Sequence, residues 1–237
     1  MSAEPAKPKL YGTKPSGNVV PIRILLEEAG IEYDYQEMDI IFAKDQMKPE
    51  FLEMNPTHTV PVLTHEEVVL HESGAILRYL CNRYRLERWY PSAPDQRALV
   101  DMMLEFRQTW FVPNLVNVFV KSKVGFHAPK TEEEEKVALA SWEQEMWPCF
   151  LQVFAKTGGP LLGGNSLNIA DIHFYGFWVA IRILNPDWPG FKVAGVLEYI
   201  DQVKNSIRSY ESTVGPAEEF WPMFLSKGGA KGSGKGT

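Results

Sequence analysis

The amino-acid sequence predicts two units of different class, an α/β unit of order βαβαββα followed by an all-helical one. Three observations carry this. Strand-like and helix-like runs alternate through residues 8–84. The stretch Tyr90-Pro-Ser-Ala-Pro94 then breaks every periodicity and marks a linker over 85–94. From 95 to 225 the apolar spacing is helical, with no convincing strand.

The elements follow in order. Leu10-Tyr11 reads as a strand, Ile22 to Ala29 as a helix and Tyr33 to Met38 as a strand, followed by an irregular helical region from Lys44 to Leu52. Val60 to Leu63 and Val68 to Leu70 are short apolar runs on either side of Thr64-His-Glu-Glu, which predicts an antiparallel hairpin; Ser73 to Tyr84 is the closing helix. In the second unit a long helical stretch starts at Asp95 and runs to about Ser122. Thr131 followed by four glutamates has the form of a helix start, a capping hydroxyl with acids in the first turn, where the helix dipole favours them. Helices follow over Lys136 to Lys156, Asn168 to Ile183 and Val193 to Asn205. Residues 227–237 are rich in glycine, lysine and serine and read as a flexible tail.

Composition narrows the function classes. The 237 residues are 45% hydrophobic and 23% charged, enough to bury a real core. A net charge of −6 gives no basic patch or stripe for phosphate backbones, so no nucleic-acid partner is expected. No apolar run has the length of a membrane span, and Met1 to Lys9 lacks the apolar core of a secretory signal, so the expected location is the cytoplasm with no membrane partner. Cys81 and Cys149 form no CxxC pair and read as separate thiols. The five histidines show no metal-ligand spacing, and no metal is expected.

The most informative residues lie at 55–63 and 71–80. Val60-Pro61 leads into an apolar strand, where a proline gives up a ladder donor and is tolerated only at an edge, a strand start or a special turn. A cis bond is expected there, turning the Val60 N–H and C=O outward to pair with a peptide-like ligand. Glu72-Ser73 then opens a helix. Its amide donors and dipole suit a ligand carboxylate, while the Glu72 carboxylate suits an ammonium. A ligand with peptide bonds, a free amine and a free carboxylate fits all three features.

These motifs resemble the glutathione-binding half of the cytosolic glutathione S-transferases. Lys9-Leu-Tyr-Gly-Thr-Lys-Pro-Ser16, running into the helix that carries Arg23, is similar to the family's thioredoxin-like start, closest to its serine-type theta and phi classes. Asn168-Ile-Ala-Asp171 resembles the family's buried capping motif, with asparagine where serine or threonine is usual. The resemblance implies a thioredoxin-like glutathione-binding domain over 8–84, an all-helical electrophile-binding domain over 95–225, a homodimer, and glutathione as co-substrate with no cofactor.

The chemistry required is thiolate formation, because an ordinary thiol with pKa near 8.5 is only a few per cent ionised at neutral pH. A hydroxyl donating to sulfur near a helix N-terminus stabilises the anion. A drop of about 2 pKa units is about 2.7 kcal/mol, within reach of one charge-assisted hydrogen bond plus a dipole. Ser16 is the expected donor; read without the downstream motifs it is a plain loop or N-cap serine. Tyr11 is the rival hydroxyl, which strand alternation makes a packing residue. The resemblance further assigns His58, Thr59, Val60, Glu72 and Ser73 to glutathione. Theta and phi members commonly have a histidine in the segment matching Gln46-Met47-Lys48; here Lys48 is the cation available.

The second substrate is expected between the domains, with Trp110, Phe111, Tyr175 and Trp221, together with Val112, Phe119 and Phe224, as aromatic and apolar candidates. Each of these also reads as core when taken singly. Pro61, Asn168 and Asp171 read as structural, and Asp171 with His173 does not form a local pair at a two-residue spacing. The expected function is conjugation of glutathione to hydrophobic electrophiles. Two alternatives stand beside it: a non-catalytic assembly module of the kind found in the gamma subunit of the translation elongation complex, and a glutathione-dependent peroxidase or oxidoreductase. Disulfide reduction would favour a cysteine where Ser16 stands.

Overall fold

The computed structural model describes residues 6–121, 131–157, 161–162 and 166–226. The predicted tail at 227–237 and the Phe119 side chain lie outside what is described.

The first part is a thioredoxin-like α/β unit. Its strands are β1 (Lys9–Gly12), β2 (Asp34–Glu37), β3 (Val62–His65) and β4 (Val68–His71), in sheet order β2-β1-β3-β4. β1 runs parallel to β2, as the intervening helix α1 (Val20–Glu28) requires, and antiparallel to β3; β3 and β4 form the hairpin. Thr64 and His65 belong to β3, so the hairpin turn is only Glu66-Glu67, shorter than the Thr64 to Glu67 connection expected. The reason is tertiary: His65 is buried, bonded through Nε2 to the Ala6 carbonyl and through Nδ1 to the Tyr79 hydroxyl, which holds it in the sheet.

Helix α1 is apolar on nearly all sides because both domains cover it: Val20 through Leu26 are buried. α2 (Pro49–Met54) follows a single 3-10 turn at Asp45–Met47. α3 (Ser73–Arg83) buries Ser73, Ile76, Leu77, Leu80 and Cys81, the i, i+3, i+4, i+7, i+8 stripe of a helix laid on a sheet.

The second part is helical among the described residues. α4 (Pro94–Phe106) starts with proline at its first position and continues over Arg107–Lys121 in wider π-type turns, with Pro113 inside the stretch unable to donate to the helix ladder. One buried stripe runs through both: Val100, Met103, Leu104, Arg107 and Phe111. α5 (Glu132–Ser141) is capped by Thr131, whose Oγ1 accepts from the Glu134 amide while Glu134 accepts from the Thr131 amide. A π-type turn at Trp142–Met146 joins α5 to α6 (Trp147–Thr157). α7 (Ile169–Leu184) is the central helix, buried almost throughout. α8 (Val196–Ser206), α9 (Tyr210–Thr213) and α10 (Gly215–Ser226) complete the domain; α9 and α10 had no separate place in the sequence reading.

The domains are joined through α1. Buried Arg23 donates to the carbonyls of Ser212 and Thr213, and Glu28 accepts from Arg208 and the Ser209 amide. Gly17 and Gly176 bring the start of α1 against α7.

Candidate functional site

The sheet register assembles the site. Tyr11 at the end of β1 pairs with Val62 at the start of β3, and Val62 pairs with His71 at the end of β4. The Ser16 loop, Val60-Pro61 and Glu72-Ser73, each one to five residues from those strand ends, therefore emerge at one end of the sheet.

In the first loop the Ser16 amide donates to the Thr13 carbonyl, and the Ser16 carbonyl accepts from the amides of Val19 and Val20. The Ser16 Oγ accepts from the Asn18 amide at 3.3 Å. Its own proton has no acceptor among the described residues and is available to an incoming group. Gly17 lies against the Phe177 ring. Tyr11 lies on the same strand face as Lys9, whose ammonium sits 4.9 Å from its ring centre.

The second loop is held by Asn55, which is fully buried. Its Nδ2 donates to the Thr59 carbonyl at 2.8 Å, and its Oδ1 accepts from the amide and hydroxyl of Thr57. His58, at φ +47°, and Thr59 are exposed on this loop. The Val60–Pro61 bond is cis, and the Val60 amide and carbonyl have no partner among the described residues. Lys48 is engaged by Asp45 at 2.7 Å, so its charge is already balanced.

At the third segment Glu72 is exposed with φ +70°, a region uncommon for a residue with a Cβ, and it projects a carboxylate at the head of α3. Ser73 is buried. Its Oγ is 2.8 Å from His173 Nε2 on α7 and 3.5 Å from Asn18 Oδ1. Arg107, fully buried, donates to Asn18 Oδ1 at 2.8 Å and to the His173 carbonyl at 2.8 Å. Burial pushes the Arg107 guanidinium down to about 9, still a cation at neutral pH, while the Glu72 charge pulls the other way. Burial, then the cations Arg107 and Arg78, holds His173 well below the usual imidazole range.

Among the apolar candidates, Trp110 is 46% exposed and stacks on Phe106. Phe111 is enclosed by Phe174, Trp178 and Trp142 at 4.9, 5.1 and 6.0 Å between ring centres, and has no exposed surface. Tyr175 is buried with its hydroxyl on that of Tyr210, and Trp221 is buried against Phe220 and Phe224. Val112 is half-buried. Asn168 caps α7: its Oδ1 accepts from the Ala170 amide, and Asp171 accepts from the amides of Asn168 and Leu162 and from the Tyr199 hydroxyl. No group of three or more His, Cys, Asp or Glu side chains suited to a metal occurs among the described residues, and no described helix is long and apolar enough to cross a membrane. Both cysteines are free.

Asn18 and Arg107 had no role in the sequence reading of the site; Asn55 entered it only as the start of the 55–63 stretch, and His173 only as a rejected partner of Asp171. Arg107 and His173 did leave a signal, a charged residue on the apolar stripe that runs on from α4 into Arg107–Lys121 and an imidazole inside a nearly all-apolar helix.

Residues 6–82 match the family described as "Glutathione S-transferase, N-terminal domain". The chain is 30% identical over 175 residues to a probable glutathione S-transferase, GSTF2, of Oryza sativa subsp. japonica, covering 69% of this chain and 76% of that protein. It is 30% identical over 141 residues to glutathione S-transferase D7 of Anopheles gambiae, covering 59% of this chain and 64%, a little under two thirds, of that one. Among solved structures, a glutathione transferase homologue from Drosophila mojavensis with bound glutathione superposes at a TM-score of 0.78 with 25% identity, over 94% of this chain and 98% of that one. Glutathione transferase E6 of Drosophila melanogaster gives 0.76 with 28% identity, over 93% and 97%.

Proposed function

Because the chain belongs to the glutathione S-transferase family, we propose that it conjugates glutathione, as a thiolate, to hydrophobic electrophiles. The observation that carries this reading is the Tyr11–Val62–His71 register, which gathers a free hydroxyl proton, an unpaired peptide group and a helix start with its own carboxylate at one end of the sheet. Ser16 donates to the glutathione sulfur one turn ahead of α1, where the dipole also favours an anion. Val60 pairs with the tripeptide backbone. The α3 amides and Ser73 receive the glutamyl carboxylate, and Glu72 receives the ammonium. His58 and Thr59 face the glycine end. The thiol proton leaves to solvent, the thiolate forms the new C–S bond, and the electrophile's leaving group takes the displaced electron pair. Trp110 is the exposed aromatic offered to the electrophile, whereas Phe111, Tyr175 and Trp221, expected beside it, are buried in the core and offer a ligand almost no surface.

The remaining readings go with this one. Residues 8–84 form the glutathione-binding domain, 85–94 the linker and 95–225 the electrophile-binding domain, in a cytoplasmic homodimer. Calorimetry with glutathione tests the binding half and turnover of an aryl halide tests the chemistry. Micromolar to millimolar affinity with measurable conjugation is expected. Binding without turnover would move the protein to an assembly module, and no binding at 10 mM, which would leave any affinity below about 3 kcal/mol, would sink the reading.

A further inference from the structure

Arg107 is a cation with no exposed surface. Its nitrogens donate to the His173 carbonyl, to Gln108 Oε1 at 2.6 Å and to Asn18 Oδ1, all neutral oxygens, and no carboxylate lies within 4 Å of it among the described residues. Buried charges are ordinarily paired, because removal from water is costly unless a counter-charge is close. The charge that Arg107 does feel is that of Glu72, exposed at the head of α3 and out of contact with the guanidinium, so a closer balancing anion is to be sought beside the groups that link the two, Asn18 and Ser73.

His173 adds a direction. Its Nε2 lies 2.8 Å from Ser73 Oγ, whereas its Nδ1 has no partner among the described residues. A proton on Nδ1 would leave a buried donor unsatisfied, the rarer and costlier omission. A proton on Nε2 donates to Ser73 Oγ instead, and the serine hydroxyl must then aim its own hydrogen away from the imidazole. Its remaining neighbour, Asn18 Oδ1, is 3.5 Å off and already accepts from Arg107. That serine proton is thus weakly engaged and available.

We propose that Arg107 and His173 are positioning residues for the glutamyl α-carboxylate of glutathione: His173 Nε2–H turns the Ser73 hydroxyl proton toward it, and Arg107, behind Asn18, supplies its counter-charge. This rests on the glutathione-binding function above. With the ligand in place charges alternate along the site: Glu72, ligand ammonium, ligand carboxylate, Arg107. Both positioning residues belong to the helical domain, so the glutamyl subsite of the first domain is completed by the second.

The test pairs protein and ligand deletions. Calorimetry compares glutathione with γ-aminobutyryl-cysteinylglycine, which lacks the α-carboxylate, on the wild-type protein and on Arg107→Met, Arg107→Lys, His173→Phe and His173→Gln. The wild type is expected to prefer glutathione by on the order of 10- to 100-fold, the range for a charge-assisted contact. In Arg107→Met and His173→Phe that preference collapses to a few-fold while the affinity for the analogue barely moves; lysine and glutamine, which keep the charge or the donor, restore most of it. Equal weakening of both ligands, or an unchanged preference, overturns the proposal as a merely structural effect. A wild-type protein that binds neither tripeptide sinks the function itself, and this inference with it. Should the variants fail to fold, 15N shifts of the wild-type imidazoles decide: a proton on His173 Nε2 is required, and a proton on Nδ1 overturns the assignment.

Discussion

Gly17 and Gly176 pack backbone to backbone: a methyl built on Gly17 would lie 2.8 Å from the Gly176 carbonyl oxygen, and one built on Gly176 would run into the carbonyl of Gly17. This contact sets α7 directly against the loop that carries Ser16, so the helical domain determines where the hydroxyl stands. Gly176→Ala is therefore expected to force the two backbones apart, since neither obstacle is the mobile end of a side chain. A loss of about 1 to 3 kcal/mol is the usual cost of overpacking. Thermal or urea denaturation reads the stability, and glutathione affinity should fall with it; an unaltered midpoint would show that the contact yields.

The two candidate hydroxyls are separable. Ser16→Ala should lower kcat/KM for an aryl halide by about 10- to 100-fold and raise the pKa of bound glutathione, read from thiolate absorbance. Tyr11→Phe should leave both within about twofold on this reading. The reverse pattern would transfer the thiol contact to Tyr11.

Asp171 ties Leu162, Asn168 and Tyr199 to the first turn of α7 and touches no part of the ligand site. Asp171→Ala leaves two buried amides and a buried hydroxyl without their acceptor, at about 1 to 3 kcal/mol each before relaxation. The expected result is a large drop in the denaturation midpoint with an unchanged pKa of bound glutathione in whatever fraction remains folded. A shifted thiol pKa would contradict a purely structural role.

Two buried groups should give stability opposing pH slopes. His173 is held well below the usual imidazole range by burial and by Arg107 and Arg78, so below about pH 6.5 the unfolded chain binds a proton that the folded one refuses. Its contribution is complete above that pH and is lost on acidification, by up to about 1.4 kcal/mol per pH unit. Burial raises the Asp171 carboxyl to about 7, so the folded state retains a proton that the unfolded state has released, and that contribution is lost as pH climbs through about 7. Urea midpoints from pH 5 to 8 should therefore decline more steeply on acidification in Asp171→Asn than in wild type, and less steeply in His173→Gln. Parallel curves for all three would dismiss both assignments.

Features encoded within a few neighbouring residues are legible in the chain itself. The Thr131–Glu134 capping box, the apolar stripe of α3, the proline-opened β3 and the Glu72-Ser73 helix start each depend on local spacing. Helix ends moved by a few residues. The hairpin turn tightened because His65 is gripped by Ala6 and Tyr79, partners 59 and 14 positions away.

By itself the sequence determined the order of elements, the family and the cis-proline and helix-start segments proposed to meet a tripeptide, since periodicity, turn chemistry and capping act over one or two helical turns. Tertiary structure alone decided that Tyr11, Val62 and His71 fall in register, and that Asn18, Ser73, Arg107 and His173 close one buried network across 55 to 100 positions of chain. Such contacts depend on which faces of β1, α3, α4 and α7 are pressed together. No local pattern states that, because burying apolar surface fixes the packing and the polar groups caught inside must find partners wherever it leaves them.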